Sequence, residues 1–195
     1  MKQKSIIGVS NVAPTSLNGC NKNNTQSTGN KTLKETTVYS ADDAKFMQQA
    51  IELSIENIDN GGGPFGAVIV RDGEVIATGT NRVVPNSDPT AHAEVTAIRN
   101  ACAKLGTFEL TDCTVYTSCE PCPMCLAALY WAGVKRICYG NTKNDARDIE
   151  FDDSFIYDQF ELNYTERSIK CEHFMRDEAL AAFRKWEEKK DKVRY

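Results

Sequence analysis

Two short strings in this chain hold residue types that bind a metal and move protons: His92-Ala93-Glu94 and, with its first cysteine thirty positions beyond the histidine, Pro121-Cys122-Pro123-Met124-Cys125. One imidazole and two thiolates are donors that zinc prefers. Three protein ligands leave the fourth tetrahedral position to water, as in a catalytic centre, whereas a structural centre closes with four. Glu94 can stand beside the metal without ligating it. A carboxylate there can take a proton from an activated water and deliver it to a substrate. Two other readings stay open. Cys122 and Cys125 alone have the C-x-x-C spacing of a redox pair, which gives His92 and Glu94 no task. Cys119 has workable spacing to close a four-ligand structural site, which again leaves Glu94 idle. Cys102, Cys113, Cys138 and Cys171 read as core residues or incidental thiols.

Both strings are expected at helix beginnings, on helices from about Ala91 to Leu105 and from Cys122 to Ala132. Positive helix ends favour thiolates, and prolines beside Cys122 suit a first turn whose N–H groups are unpaired anyway. Short apolar runs, Thr114 to Thr117 and Ile137 to Tyr139, flank the second helix as strands of a parallel crossover. Upstream, Phe65 to Val70 and Val75 to Thr80 surround an Asp72-Gly73 turn and predict a β-hairpin. Ser40-Ala41-Asp42-Asp43 resembles a capping box, followed by an apolar stripe at Met47, Ala50, Ile51, Ser54, Ile55 and Ile58. A charged amphipathic helix is expected over Glu178 to Lys190. The pattern predicts an α/β protein, a three-layer α/β/α sandwich around a mixed, mostly five-stranded sheet.

A chain of 195 residues, 41% hydrophobic and 26% charged, suits one soluble domain. Asn18 to Thr32 holds no large apolar side chain, so residues 1–37 are expected to be a flexible polar extension and residues 38–195 the catalytic domain. The net charge of −4 divides unevenly: residues 1–39 carry five lysines and one glutamate, which leaves −8 on the remainder. An acidic domain is a poor match for a phosphate backbone, so no nucleic-acid partner is expected. No apolar run reaches 18 residues and no secretory signal is recognisable, which predicts no membrane span and a cytoplasmic protein.

H-x-E with P-C-x-x-C is also the signature of zinc nucleobase deaminases. From about Ala44 to Tyr195 the chain resembles the cytidine deaminase-like superfamily. Within it the wording is most similar to bacterial guanine deaminases and their plant guanosine deaminase relatives, in GGPFGAVIV at Gly62 to Val70, DPTAHAEVTAIR at Asp88 to Arg99, YTSCEPCPMC at Tyr116 to Cys125 and FDDSFIY at Phe151 to Tyr157. The resemblance implies zinc, one per subunit, and hydrolysis of guanine to xanthine and ammonia, with attack at C2 and Glu94 as the proton carrier. It implies Phe65 stacked on the base, Asn81 on its edge, Trp131 as a pocket wall and Asp153 accepting from base N–H groups. Ala93 and Ser118 join these contacts, Ser118 and Cys119 through backbone near the leaving ammonia. It further implies a homodimer that exchanges C-terminal segments, bringing Tyr195 to the partner's site. From the residues alone, Phe65 and Trp131 serve equally well as packing, and Asp153 as a helix cap. Guanosine, cytosine or another small base or nucleoside is the alternative substrate, and a tRNA adenosine is a more distant one.

Overall fold

Ser40 opens the first helix with a reciprocal cap: its hydroxyl accepts from the Asp43 amide at 3.0 Å while the Asp43 carboxylate accepts from the Ser40 amide at 3.0 Å. The computed structural model describes residues 39–194, and the boundary expected at residue 37 lies outside them. Helix α1 (Ala41–Asp59) buries Phe46, Ala50, Ser54 and Asn57. The expected stripe is therefore turned: Ile55 and Ile58 are 60% and 55% exposed. The buried C-terminal end of α1 meets backbone carbonyls, which call for a polar Asn57 where apolar periodicity looks for isoleucine.

The hairpin forms as expected, from β1 (Gly66–Arg71) and β2 (Glu74–Thr80). Asp72 and Gly73 both take positive φ, 53° and 77°, the left-handed pair that lets a two-residue turn follow the twist of its strands. A short helix α2 (Val83–Asn86) leads to α3 (Ala93–Leu105), then β3 (Thr114–Cys119), α4 (Pro123–Ala132) and β4 (Arg136–Asn141). The sheet order is β2-β1-β3-β4, with β1 antiparallel to both neighbours and β3 parallel to β4 across the α4 crossover.

Strand alternation divides the core. Ala67 and Ile69 pack with Ala93, Ala97 and Ala101 of α3 and Leu129 of α4, whereas Val68, Val70 and Tyr116 pack with Phe46 and Ala50 of α1. Two glycines permit this closeness: a Cβ at Gly79 would collide with the backbone of Ala93 and Ala97, and one at Gly66 with that of Ala50 and Ser54.

Among the described residues the sheet has four strands, a correction to the expected five. After β4, Thr142 makes a second capping box with Asp145 and turns the chain into α5 (Lys143–Asp148), followed by α6 (Ser154–Glu161) and α7 (Arg176–Glu188). The short helices α2, α5 and α6 are absent from the periodicity because they are too brief to show a repeat. No helix among the described residues is long and apolar enough to cross a membrane.

Candidate active site

The first turns of α3 and α4 converge on one point. His92 is the N-cap of α3 and Cys122 the N-cap of α4, both with extended backbone, at φ −69° and −62°. Helix α3 thus begins two residues later than expected and α4 one, each with a ligand candidate on its cap. Pro123 fills the first helical position of α4, and Cys125 lies buried in the same turn. His92 Nδ1 lies 3.5 Å from Cys122 Sγ and 3.5 Å from Cys125 Sγ.

These distances test whether the donors fit a metal. Zinc–nitrogen and zinc–sulfur bonds at tetrahedral angles put the two donors about 3.6 Å apart. The observed edges match, and all three ligand atoms lie within 4.8 Å of one another. His92, Cys122 and Cys125 therefore fit zinc, bound through Nδ1 and two thiolates. Cys119 does not close the site: its thiol donates to the Thr142 carbonyl at 3.6 Å, and burial pushes it up to about 11. The closed structural centre is thereby set aside. The redox reading goes with it, because the imidazole sits equally close to both sulfurs. The seven cysteines of the described residues are free thiols.

The electrostatics suit a cation. Cys122 is held well below the ordinary thiol range, chiefly by the hydrogen bond it accepts from Cys125 and then by His92, while Cys125, donor of that bond and buried, is pushed up. His92 is raised, first by its hydrogen bond to Cys122. Protons on these closely packed donors compete with a divalent cation for the same lone pairs. Two helix N-termini add their positive ends.

Glu94, in the first turn of α3, is 6% exposed. Burial raises its carboxyl above the usual range, against the pull of its own backbone N–H and of Thr117, whose hydroxyl donates to Oε1 at 2.9 Å. A carboxylate tuned upward beside a metal site can both accept and return a proton near neutral pH. Thr117 is a site residue that sequence reasoning passed over. Its signal was its alternation along β3 with Val115, which packs in the α3 and α4 core.

The other expected residues are placed as follows. Phe65 meets Phe151 edge-on, with ring centroids 5.0 Å apart at 85°. Asn81 is buried, its main-chain N–H donates to the Phe65 carbonyl at 3.1 Å, and its Oδ1 accepts from the Val83 N–H at 3.3 Å. Ala93 is fully buried, and the buried Ser118 hydroxyl accepts from the Gly66 amide at 3.1 Å. Asp153 is the N-cap of α6, yet its side chain makes no capping bond; Asp152 supplies that by accepting from Ser154 at 2.9 Å. Burial raises Asp153, and Cys122 is the next largest influence on it. Trp131 is 73% exposed, six residues and about 9 Å along α4 from Cys125. Tyr195 lies outside the described residues.

Comparison with known proteins agrees with this geometry. The cytidine and deoxycytidylate deaminase zinc-binding region matches residues 40–141. A guanine deaminase of Bacillus subtilis is 50% identical over 151 residues, covering 77% of this chain and 97% of that protein. The X-ray structure of the guanine deaminase from that organism superposes with a TM-score of 0.76 at 49% identity, covering 78% of this chain and 98% of the other. A structure solved in complex with 2,6-diaminopurine has a TM-score of 0.56 at 41% identity, over 60% of this chain and 65% of that one. A tRNA-specific adenosine deaminase of Haemophilus influenzae is 36% identical over 131 residues, 66% of this chain and 74% of its own. The chain belongs to the cytidine and deoxycytidylate deaminase zinc-binding family.

Proposed function

We infer that this protein is a zinc-dependent guanine deaminase that hydrolyses guanine to xanthine and ammonia. The observation that carries the reading is the His92, Cys122 and Cys125 triangle with the buried Glu94 carboxylate beside it. The guanine deaminase of Bacillus subtilis, matched over nearly its whole length, supports the choice of base. Zinc held by the three donors supplies a water acidic enough to act as a nucleophile at neutral pH. Glu94 accepts a proton from the attacking water, passes one to the ring nitrogen next to C2 and returns one to the departing amine. Water adds at C2, ammonia leaves, and the atoms balance as guanine plus water giving xanthine plus ammonia. Phe65 and Asn81 orient the base by stacking and edge contact, Ala93 and Ser118 line the pocket, and Trp131 walls it. The Asp153 carboxylate pairs with base N–H groups, and bases lacking those donors leave its charge unpaired.

The reading extends to assembly. Helices α6 and α7 bury no residue within the chain although they carry Phe155, Phe160, Phe183 and Trp186 on their surface. Faces of that kind support a homodimer in which C-terminal segments cross over and Tyr195 completes the partner's pocket. Residues 1–37 are a polar extension to a three-layer catalytic domain of residues 38–195, acting in the cytoplasm in purine breakdown or salvage. The acidic balance of that domain disfavours a tRNA substrate.

The test is Glu94→Gln, which keeps shape and removes proton transfer. It is expected to retain one zinc per subunit while turnover of guanine falls by about 10²-fold or more. Wild-type turnover in that variant contradicts the assignment.

A further inference from the structure

Asn57 is 2% exposed at the end of α1, outside the metal site. Its side-chain nitrogen donates two hydrogen bonds of 2.8 Å, one to the Gly63 carbonyl and one to the Asn81 carbonyl. Separately, the main-chain carbonyl of Asn57 accepts from the Gly62 amide at 3.0 Å. One carboxamide thus ties together the end of α1, the loop that enters β1 and the residue that follows β2.

The residue type follows from the task. Two carbonyls need two donors from one compact planar group, which a carboxamide has, whereas an ionised carboxylate has none and an aliphatic side chain has neither donor nor acceptor. The loop passes flush against this group: a Cβ at Gly62 would collide with Asn57 Nδ2 and with the Asn81 carbonyl. The tie continues into the pocket, because Phe65 and Asn81 share a backbone hydrogen bond of 3.1 Å and Val83 pins the Asn81 side-chain oxygen.

We propose that Asn57 is a positioning residue for base recognition, a clamp that fixes Phe65 and Asn81 relative to one another so that the stacking face and the edge-reading amide meet the same planar purine. This rests on the guanine reading of the pocket. The clamp touches neither Glu94 nor a metal ligand. Contacts held in place by it are made equally to bound substrate and transition state, so their loss falls on KM and not on kcat. A residue serving stability alone lowers the melting temperature and leaves both constants unchanged below it.

The experiment uses the full-length zinc-loaded protein and its Asn57→Ala variant, with kinetics on guanine and calorimetric binding of 2,6-diaminopurine, which needs no turnover. The expected result is KM for guanine raised about tenfold or more, kcat within about threefold, affinity for 2,6-diaminopurine weakened in parallel, and zinc content unchanged. Should Asn57→Ala fail to fold, Asn57→Gln keeps the donors but moves them by one methylene, and the same rise in KM is expected. Unchanged KM and affinity in a folded variant of an active wild type overturn the clamp and leave the guanine reading intact. A wild type that binds 2,6-diaminopurine but does not turn over guanine overturns the guanine reading, and weakened binding in the variant then still supports the clamp.

Discussion

At the scale of single residues the site is governed by what its buried groups are allowed to touch. In the proposed reaction Glu94 carries the protons, and the Thr117 hydroxyl at 2.9 Å fixes which way it points. Replacing Thr117 by Val keeps the volume and removes the donor. Thr117→Val is therefore expected to lower kcat by about 10- to 100-fold with zinc retained, and Thr117→Ser to recover most of it. Steady-state kinetics with metal analysis checks this, and a Val variant as fast as wild type counts against the role. The ligands and Glu94 could be read from the sequence because each requires a particular residue type at a particular spacing from its neighbours. Asn57 could not, and for Thr117 alternation marks only a core-facing position: neither belongs to a metal-binding or proton-carrying residue pattern, and their partners Asn81 and Glu94 are met only in the fold.

At the scale of elements, two helix starts are brought together by packing on a thin sheet. Ala93, Ala97 and Ala101 let α3 lie close to the strands, and Gly79 lets β2 pass beneath its first turn, which sets His92 and Glu94 opposite the start of α4. On the other face, Asp43 anchors α1. Its carboxylate caps the helix, accepts from the Tyr116 hydroxyl at 2.6 Å and pairs with Arg136 at 2.6 Å. The Tyr116 hydrogen bond, ahead of Arg136, holds Asp43 far below its ordinary 3.8. A carboxyl depressed on folding contributes stability that is complete above its unfolded value and is lost as pH falls through and below it. Asp43→Asn is expected to cost about 1–2 kcal/mol at pH 7, and the gap to wild type should shrink below about pH 4. Urea melts at pH 7 and pH 3 measure it, and a gap that stays constant or widens in acid contradicts the anchor. The hairpin, the crossover and the Ser40 cap were foreseeable because turns, caps and alternation are local. The face of α1 and the number of strands were not, because Asn57 answers to carbonyls across the fold and Thr142 redirects the chain after β4.

At the scale of the whole molecule, the proposed exchange of segments concerns the part of the chain after β4. Two helices with aromatic residues facing outward, and a core whose helices pack without them, fit a pocket finished by a second copy. Removing residues 189–195 is expected to lower kcat/KM on guanine about tenfold or more, while zinc content and the melting of the remaining domain persist. An unchanged kcat/KM after truncation leaves the exchange of segments without support. The charge asymmetry also belongs here, since the −8 carried by residues 40–195 fits a small neutral base better than a polyanion. One measurement addresses the reaction itself: guanine, guanosine, cytosine and adenosine-containing tRNA supplied separately to the zinc-loaded protein, with deaminated product and ammonia quantified together. Equimolar xanthine and ammonia from guanine, with far less product from the others, is the predicted result. A fully metal-loaded protein that leaves guanine untouched, or prefers another of these substrates, would contradict it.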